Sequence, residues 1–285
     1  MRAFRGLSAR HGASRGVAPQ VNAGPAVPWR VVPGATRGSG DAPLVVVAHG
    51  SRDPRSAATI RRLADVVCRL APGLDIRVGF LDLSEPLLSD VLDDVAAEGH
   101  RDVVAVPLLL GNAFHSKVDL PALVADAEQR SPGLRVRVSD VLGPDPLLLD
   151  AVQGRLAETG TAPDPALGVV LAGVGSADAA ANDVVADVAA RLHRRGDYAA
   201  VTHAFATCGP DVESAIAALR ARGAERIAIA PWFLAPGLLL DRIERRTRDV
   251  APDAVFAAPL GAAEAVATVV LTRYAAATHP AAHAA

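Results

Sequence analysis

The sequence predicts an α/β fold of two similar lobes, each a four-stranded parallel sheet flanked by helices, related by a pseudo-twofold axis. Three observations predict it. From Asp41 onward, short apolar runs alternate with amphipathic helical stretches, the pattern of βα units joined by right-handed crossovers. Hydrophobic residues make up 51% of the 285 while aromatics make up 4%, so Ala, Val and Leu must build the core, as they do in buried parallel sheets. The chain also repeats itself. Glu98–Leu110 runs from a helix end into a strand, and Arg222–Leu234 does the same, with Pro107 matched by Pro231 at an offset of 124 (231 − 107).

In the first half, strands are expected at Leu44–Ala48, Asp75–Phe80, Asp102–Val106 and Leu134–Val138. Each is a run dominated by Val, Ile and Leu and bounded by turn residues. Helices are expected at Arg55–Leu70, Leu87–Glu98, Leu120–Gln129 and Pro146–Glu158. Pro86 opens the second of these, and Asp119 caps the third, with Leu120-Pro121 in its first turn. Thr159–Pro165, rich in Gly, Thr and Pro, reads as the linker. In the second half, strands are expected at Gly168–Ala172, Ala199–Thr202, Arg226–Ala230 and Ala254–Ala257. Helices are expected at Ala179–Arg195, Asp211–Arg222, Leu238–Arg248 and Ala262–Ala277. Gly99 and Gly223 fall at matching helix ends, where a left-handed residue is wanted. The organisation is therefore a lobe over 41–160 and a second over 161–285. Met1–Gly40 precedes them, with six arginines and no Asp or Glu. It has neither period nor an apolar h-region and reads as a disordered tail, with an organellar targeting peptide, basic and acid-poor too, as the alternative.

The repeat acts as an internal control. Ala48–Asp53 faces Gly173–Asp178 at an offset of 125 (178 − 53). The second copy keeps Gly175, Ser176, Asp178, Pro210 and Pro231. It has Val174 in place of His49, and Leu238–Leu240 opposite His115. What both copies share is scaffold, whereas the two histidines belong to the first copy alone. Strand C-terminal ends face the ligand crevice in an open parallel sheet. His49 directly follows one strand and His115 lies eight residues past Pro107, at the end of another. Two imidazoles delivered there can bind a metal ion or move protons at neutral pH.

Composition excludes several classes. Formal net charge is −2, without the basic footprint of a nucleic-acid binder. No run of 18 apolar residues suggests a membrane span. Cys68 and Cys208 have neither metal-site nor disulfide spacing; Cys68 reads as core, and a reducing cytoplasm is the expected location.

His49-Gly50-Ser51-Arg52-Asp53-Pro54, Phe80–Pro86, and Pro107–Leu110 through His115-Ser116-Lys117-Val118-Asp119-Leu120-Pro121 together resemble the sirohydrochlorin chelatase family, in its two-lobe fused form. The family comprises cobaltochelatases of cobalamin synthesis and ferrochelatases of sirohaem synthesis. The resemblance spans Leu44 to Ala277. It implies ATP-independent insertion of a divalent metal into sirohydrochlorin, a tetrapyrrole carrying eight carboxylates. The metal is a substrate (Fe²⁺, Co²⁺ or Ni²⁺), with no permanently bound cofactor expected. It also implies that His49 and His115 handle the metal and the pyrrole protons. Asp82 stands where the family often has Glu; being one methylene shorter, it suits a role beyond direct ligation. Gly50, Ser51, Arg52, Ser116 and Lys117 are the expected tetrapyrrole-binding residues, with Arg55, Arg242 and Arg245 as further cations near the cleft. His203 is a weaker candidate for the cleft wall. The expected assembly is a monomer or homodimer. The alternative is a non-catalytic two-lobed carrier of metal or tetrapyrrole, using the same cleft. A solute-binding protein fits less well, because the histidines occur in one half. A dinucleotide enzyme would need a third Gly where Asp178 stands, and no Gly-x-Ser-x-Gly elbow surrounds Ser51 or Ser176.

Overall fold

The computed structural model describes residues 41–111 and 114–278, with the side chains of 114–118 outside that description. The Met1–Gly40 tail and Asn112 therefore lie outside the described residues, as do the side chains of His115, Ser116 and Lys117. The elements run β1 (Leu44–Ala48), α1 (Pro54–Leu70), β2 (Ile76–Phe80), α2 (Leu88–Ala97), β3 (Asp102–Pro107), α3 (Phe114–Arg130), β4 (Arg135–Val138) and α4 (Pro146–Glu158). There follow β5 (Leu167–Gly173), α5 (Ala179–Arg194), β6 (Ala200–Phe205), α6 (Val212–Ala221), β7 (Arg226–Pro231), α7 (Leu238–Val250), β8 (Val255–Phe256) and α8 (Glu264–Thr278). The first four strands form a parallel sheet in the order β2-β1-β3-β4, and the second four repeat it as β6-β5-β7-β8. The expected α/β architecture of two parallel sheets is what the chain adopts.

Period-two alternation assigns the two faces of each sheet. In β1, Leu44, Val46 and Ala48 join one core, and Val45 and Val47 another. The outer face of the first sheet is covered by α2 and α3 through Leu88, Val91, Leu92, Leu120 and Val124. The outer face of the second is covered by α6 and α7 through Ile216, Leu219 and Ile243. The inner faces of both sheets share one continuous core that also takes in α1, α4, α5 and α8. Cys68 packs against this core, and burial pushes its thiol up.

That shared core comes from an exchange of helices. The last helix, α8, packs on α1 and β3 of the first half, while α4 packs on β7 of the second. The exchange is reciprocal, as a two-fold relation between halves requires. Val266, Ala267, Val269 and Val270 of α8 are fully buried there. Arg273 Nε and Nη2 donate to the carbonyls of Val141 and Leu142 at 2.8 Å.

The repeat extends to loop geometry. Gly99 and Gly223 both close helices with positive φ, +91° and +89°. Phe80 N donates to the Pro86 carbonyl, and Phe205 N to the Pro210 carbonyl. This corrects the expectation that these prolines open helices: each ties a loop to the preceding strand end, and the helix begins two residues later, at Leu88 and Val212. A second correction concerns Asp119, which lies inside α3 rather than capping it, with Pro121 also inside the helix. Hydrophobic periodicity reports burial, and Leu120, Val124 and Ala127 are where α3 meets the sheet. Its first turn carries no such stripe, so the pattern begins late. Helices α3 and α7 also start at the 124-residue offset (238 − 114), which sets Leu239 at the place of His115.

Candidate active site

The strand order fixes where a site can be. From β1 the chain moves to β2 on one side, then returns to β3 on the other, so the connections diverge at the C-terminal ends of β1 and β3. That divergence opens a crevice in which α/β proteins bind ligands. His49 is the first residue after β1, and the β3–α3 connection leads from the other strand into the first turn of α3, which contains His115. The two sequence-predicted histidines thus come from the two elements that flank the switch point. The side-chain position of His115 is outside the described residues.

His49 is exposed at the mouth of a cavity of about 500 Å³ between the halves. The first half contributes Ala48 through Arg52, Ser56, Leu83 and Leu108-Leu109. Facing them are Val174 and the β7–α7 connection from Phe233 to Leu240. A second cavity of about 460 Å³ shares Leu108, Leu109, Val174, Phe233 and Leu234 with the first and continues over Val184, Val185 and Trp232. Three of the seven large apolar side chains exposed among the described residues, Leu83, Val174 and Leu238, stand in the wall of the first cavity, Leu238 at 73% exposure. Such a cluster marks a ligand groove rather than random surface. The cleft is therefore a pair of apolar plates with polar groups along one margin.

The loop holding His49 is fastened to the β2–α2 loop. Asp82 N donates to the His49 carbonyl at 3.0 Å. Ser51 N donates to Ser84 Oγ, and Ser84 Oγ donates back to the Ser51 carbonyl, both at 3.1 Å. Gly50 has φ +95°, and a Cβ there would lie 1.7 Å from the Asp82 carbonyl oxygen. Only glycine fits, for both reasons. Asp82 is thus set beside His49 by its backbone. Its carboxylate turns back to accept the Leu83 N–H at 2.7 Å, while Leu83 lines the cavity.

Helix α1 begins behind this loop. Asp53 caps it, accepting the Arg55 N–H at 2.9 Å, with Pro54 in the first turn. The Arg55 guanidinium folds back on the same carboxylate and holds it below the usual carboxylate range. Arg52 and Ser51 line the cavity as expected. Arg242 and Arg245 are exposed but do not line it. On α7, Asp241 reaches the first half: its Oδ2 lies 2.5 Å from Arg55 Nη2. Nothing in the sequence pairs positions 55 and 241; the contact follows from packing of the two halves.

The other candidates sit elsewhere. His203 lies on β6 opposite Leu171 and packs against the Phe205 ring at 5.3 Å; burial lowers its pKa, and it does not line the cleft. Asp75, Glu98 and His100 form a carboxylate–imidazole group at the far, N-terminal end of the first sheet. The buried Arg77 guanidinium bonds both carboxylates at 2.6 Å, so they already share a cation supplied from within the fold.

Two α/β halves with exchanged helices, and a cleft carrying a histidine at one switch point and a valine at the other, define a duplicated fold in which one copy keeps the polar machinery. The chain belongs to the CbiX family, whose model matches it twice, over residues 43–159 and 168–277. It is 27% identical to the sirohydrochlorin cobaltochelatase of Priestia megaterium over 72% of this chain and 68% of that one. It is 28% identical to the sirohydrochlorin ferrochelatase of Bacillus subtilis over 72% of this chain and 78% of that one. Among solved structures it resembles SirB from Bacillus subtilis with Fe³⁺ (TM-score 0.74, 24% identity, 85% of this chain and 98% of that one). It also resembles CbiX, the terminal enzyme for biosynthesis of siroheme in denitrifying bacteria (TM-score 0.61, 20% identity, 82% and 99%). Among the described residues no helix is long and apolar enough to cross a membrane.

Proposed function

We propose that this protein is a sirohydrochlorin chelatase that inserts Fe²⁺ or Co²⁺ into the macrocycle without ATP. The observation that carries the reading is the position of His49: after β1, at the switch point, at the margin of an apolar cleft that is missing its histidine in the second copy. A flat macrocycle with a charged rim suits such a cleft. Its faces lie against Leu109, Val174 and Phe233, and its rim carboxylates stay with water and with Arg52 and the Ser51 loop.

Insertion exchanges one divalent ion for two pyrrole N–H protons. His49 and His115 are the groups that serve both needs. Neutral imidazole binds Fe²⁺, Co²⁺ and Ni²⁺ without the permanence of a thiolate cage, and its pKa near neutrality suits it to accept the leaving protons. Asp82, fastened to the His49 carbonyl through its own N–H, acts by holding the histidine loop rather than by gripping the ion. Ser116 and Lys117, beside His115 in the first turn of α3, are assigned to the rim carboxylates.

The test is anaerobic absorbance of sirohydrochlorin with Fe²⁺ or Co²⁺, using wild type, His49→Ala and His115→Ala. Each substitution should lower the rate about 10²- to 10⁴-fold with far-UV circular dichroism unchanged. Near-wild-type rates in both variants would remove the mechanism. Stoichiometric binding of sirohydrochlorin with no acceleration of metallation would make the protein a carrier instead.

A further inference from the structure

The first half carries a second polar device that its copy lacks, and it bridges the two halves beside the cleft. Asp53 and Asp178 occupy equivalent positions, and each caps its helix by accepting the N–H two residues on, from Arg55 and from Ala180. The helix start therefore needs the aspartate and not the arginine. Arg55 is an addition to the copy that carries His49.

The guanidinium is fixed on one side and open on the other. Its Nε lies 3.0 and 3.1 Å from the two Asp53 oxygens, and its Nη2 lies 2.5 Å from Asp53 Oδ2. Asp53 is 8% exposed, a rigid seat. The same Nη2 also meets Asp241 Oδ2 at 2.5 Å, and here both partners face water, at 51% and 41% exposure. Asp241 directly follows Leu238–Leu240, and Arg55 lies between Arg52 and Ser56; all of those neighbours line the cleft. An exposed ion pair of this kind is weak and readily exchanged. The oriented, half-buried guanidinium behind it is well suited to carboxylates.

We infer that Arg55 is a substrate-anchoring residue that takes one rim carboxylate of the tetrapyrrole, and that Asp241 is an internal competitor holding that position until the substrate displaces it. The inference rests on the chelatase reading and names how that site selects its substrate.

The experiment measures the dissociation constant of metal-free sirohydrochlorin by its absorbance, and kcat and KM for Co²⁺ insertion. It uses wild type, Asp241→Asn, Arg55→Gln and the double variant. Asp241→Asn should lower both Kd and KM about three- to tenfold, with kcat within twofold. Arg55→Gln should raise both about tenfold, as expected for one lost carboxylate contact. The double variant should match Arg55→Gln alone, because Asp241 acts only through Arg55. A merely structural ion pair would leave both KM values unmoved, lowering only the urea midpoints, more for Arg55→Gln because that variant also loses its bonds to Asp53; unmoved KM values would overturn the inference. So would an Asp241→Asn effect that persists in the double variant. A wild type that binds no sirohydrochlorin, or binds it without metallating it, overturns the chelatase reading itself and this inference with it.

Discussion

Replacing Gly50 with alanine should be the most damaging single-methyl change in the first half. At φ +95° any L side chain costs about 1–2 kcal/mol. Space adds more. Real Cβ contacts essentially never fall under 3.0 Å, and this one would be 1.7 Å, so Asp82 must retreat by at least 1.3 Å (3.0 − 1.7). The atom in the way is backbone and cannot rotate aside. Its retreat breaks the clasp formed by Asp82 N on the His49 carbonyl and the reciprocal Ser51–Ser84 pair, three hydrogen bonds at about 1 kcal/mol each. The expected loss is about 4–5 kcal/mol, a large fraction of the stability of an ordinary domain. Gly99→Ala is the control. Its φ is +91°, yet nothing lies within 4 Å of the added carbon, so it should cost only the conformational about 1–2 kcal/mol. Urea unfolding followed by far-UV circular dichroism compares the two directly. If Gly50→Ala falls within 1 kcal/mol of Gly99→Ala, the clasp does not hold the histidine loop and the reasoning is refuted.

Two further predictions concern pH. Burial lowers the His203 pKa below its ordinary value. Between that ordinary value, near 6.5, and the lower folded one, the unfolded chain binds more protons than the native one, so stability falls as pH falls through this window. His203→Asn should flatten that part of the urea-midpoint profile, and an unchanged slope would refute the assignment. The chain has two tyrosines. Burial raises the pKa of Tyr198, and it pushes Tyr274, whose hydroxyl donates to the Ala42 carbonyl, up to about 12. Absorbance at 295 nm should therefore show well under half of the phenols ionised at pH 10. The neutral phenols favour the native state, so stability is lost as pH rises past the ordinary tyrosine value. An ordinary titration midpoint near 10 would contradict the burial of both rings.

Much of this architecture was legible because each layer leaves a period in the sequence. Strand β1 was read to its observed ends because Leu44–Ala48 is buried on both faces, and α4 was read to its observed ends, Pro146–Glu158, as well. The repeat exposed matched glycines and prolines, and with them the first-copy status of His49. What stayed hidden depends on contacts between halves. The start of α3 left no stripe. The β8 strand, expected over Ala254–Ala257, is only Val255–Phe256, since a short edge pairs on one side alone. The Arg55–Asp241 contact spans 186 residues, and nothing in either neighbourhood announces the other. Nor does the composition of α8 say which sheet it will cover.

The reciprocal crossing of α4 and α8 has a consequence for how the protein is made. Translation delivers the first sheet early, but the helix that roofs β3 begins only at Glu264, 126 residues (264 − 138) after β4 is complete. Until then, Val104 and Val106 of β3, which end with no contact with water, lack the helix that packs on their strand. The nascent chain must therefore mature as a whole rather than lobe by lobe. A product truncated before Glu264 would leave the inner face of the first sheet open, a natural client for chaperones and proteases.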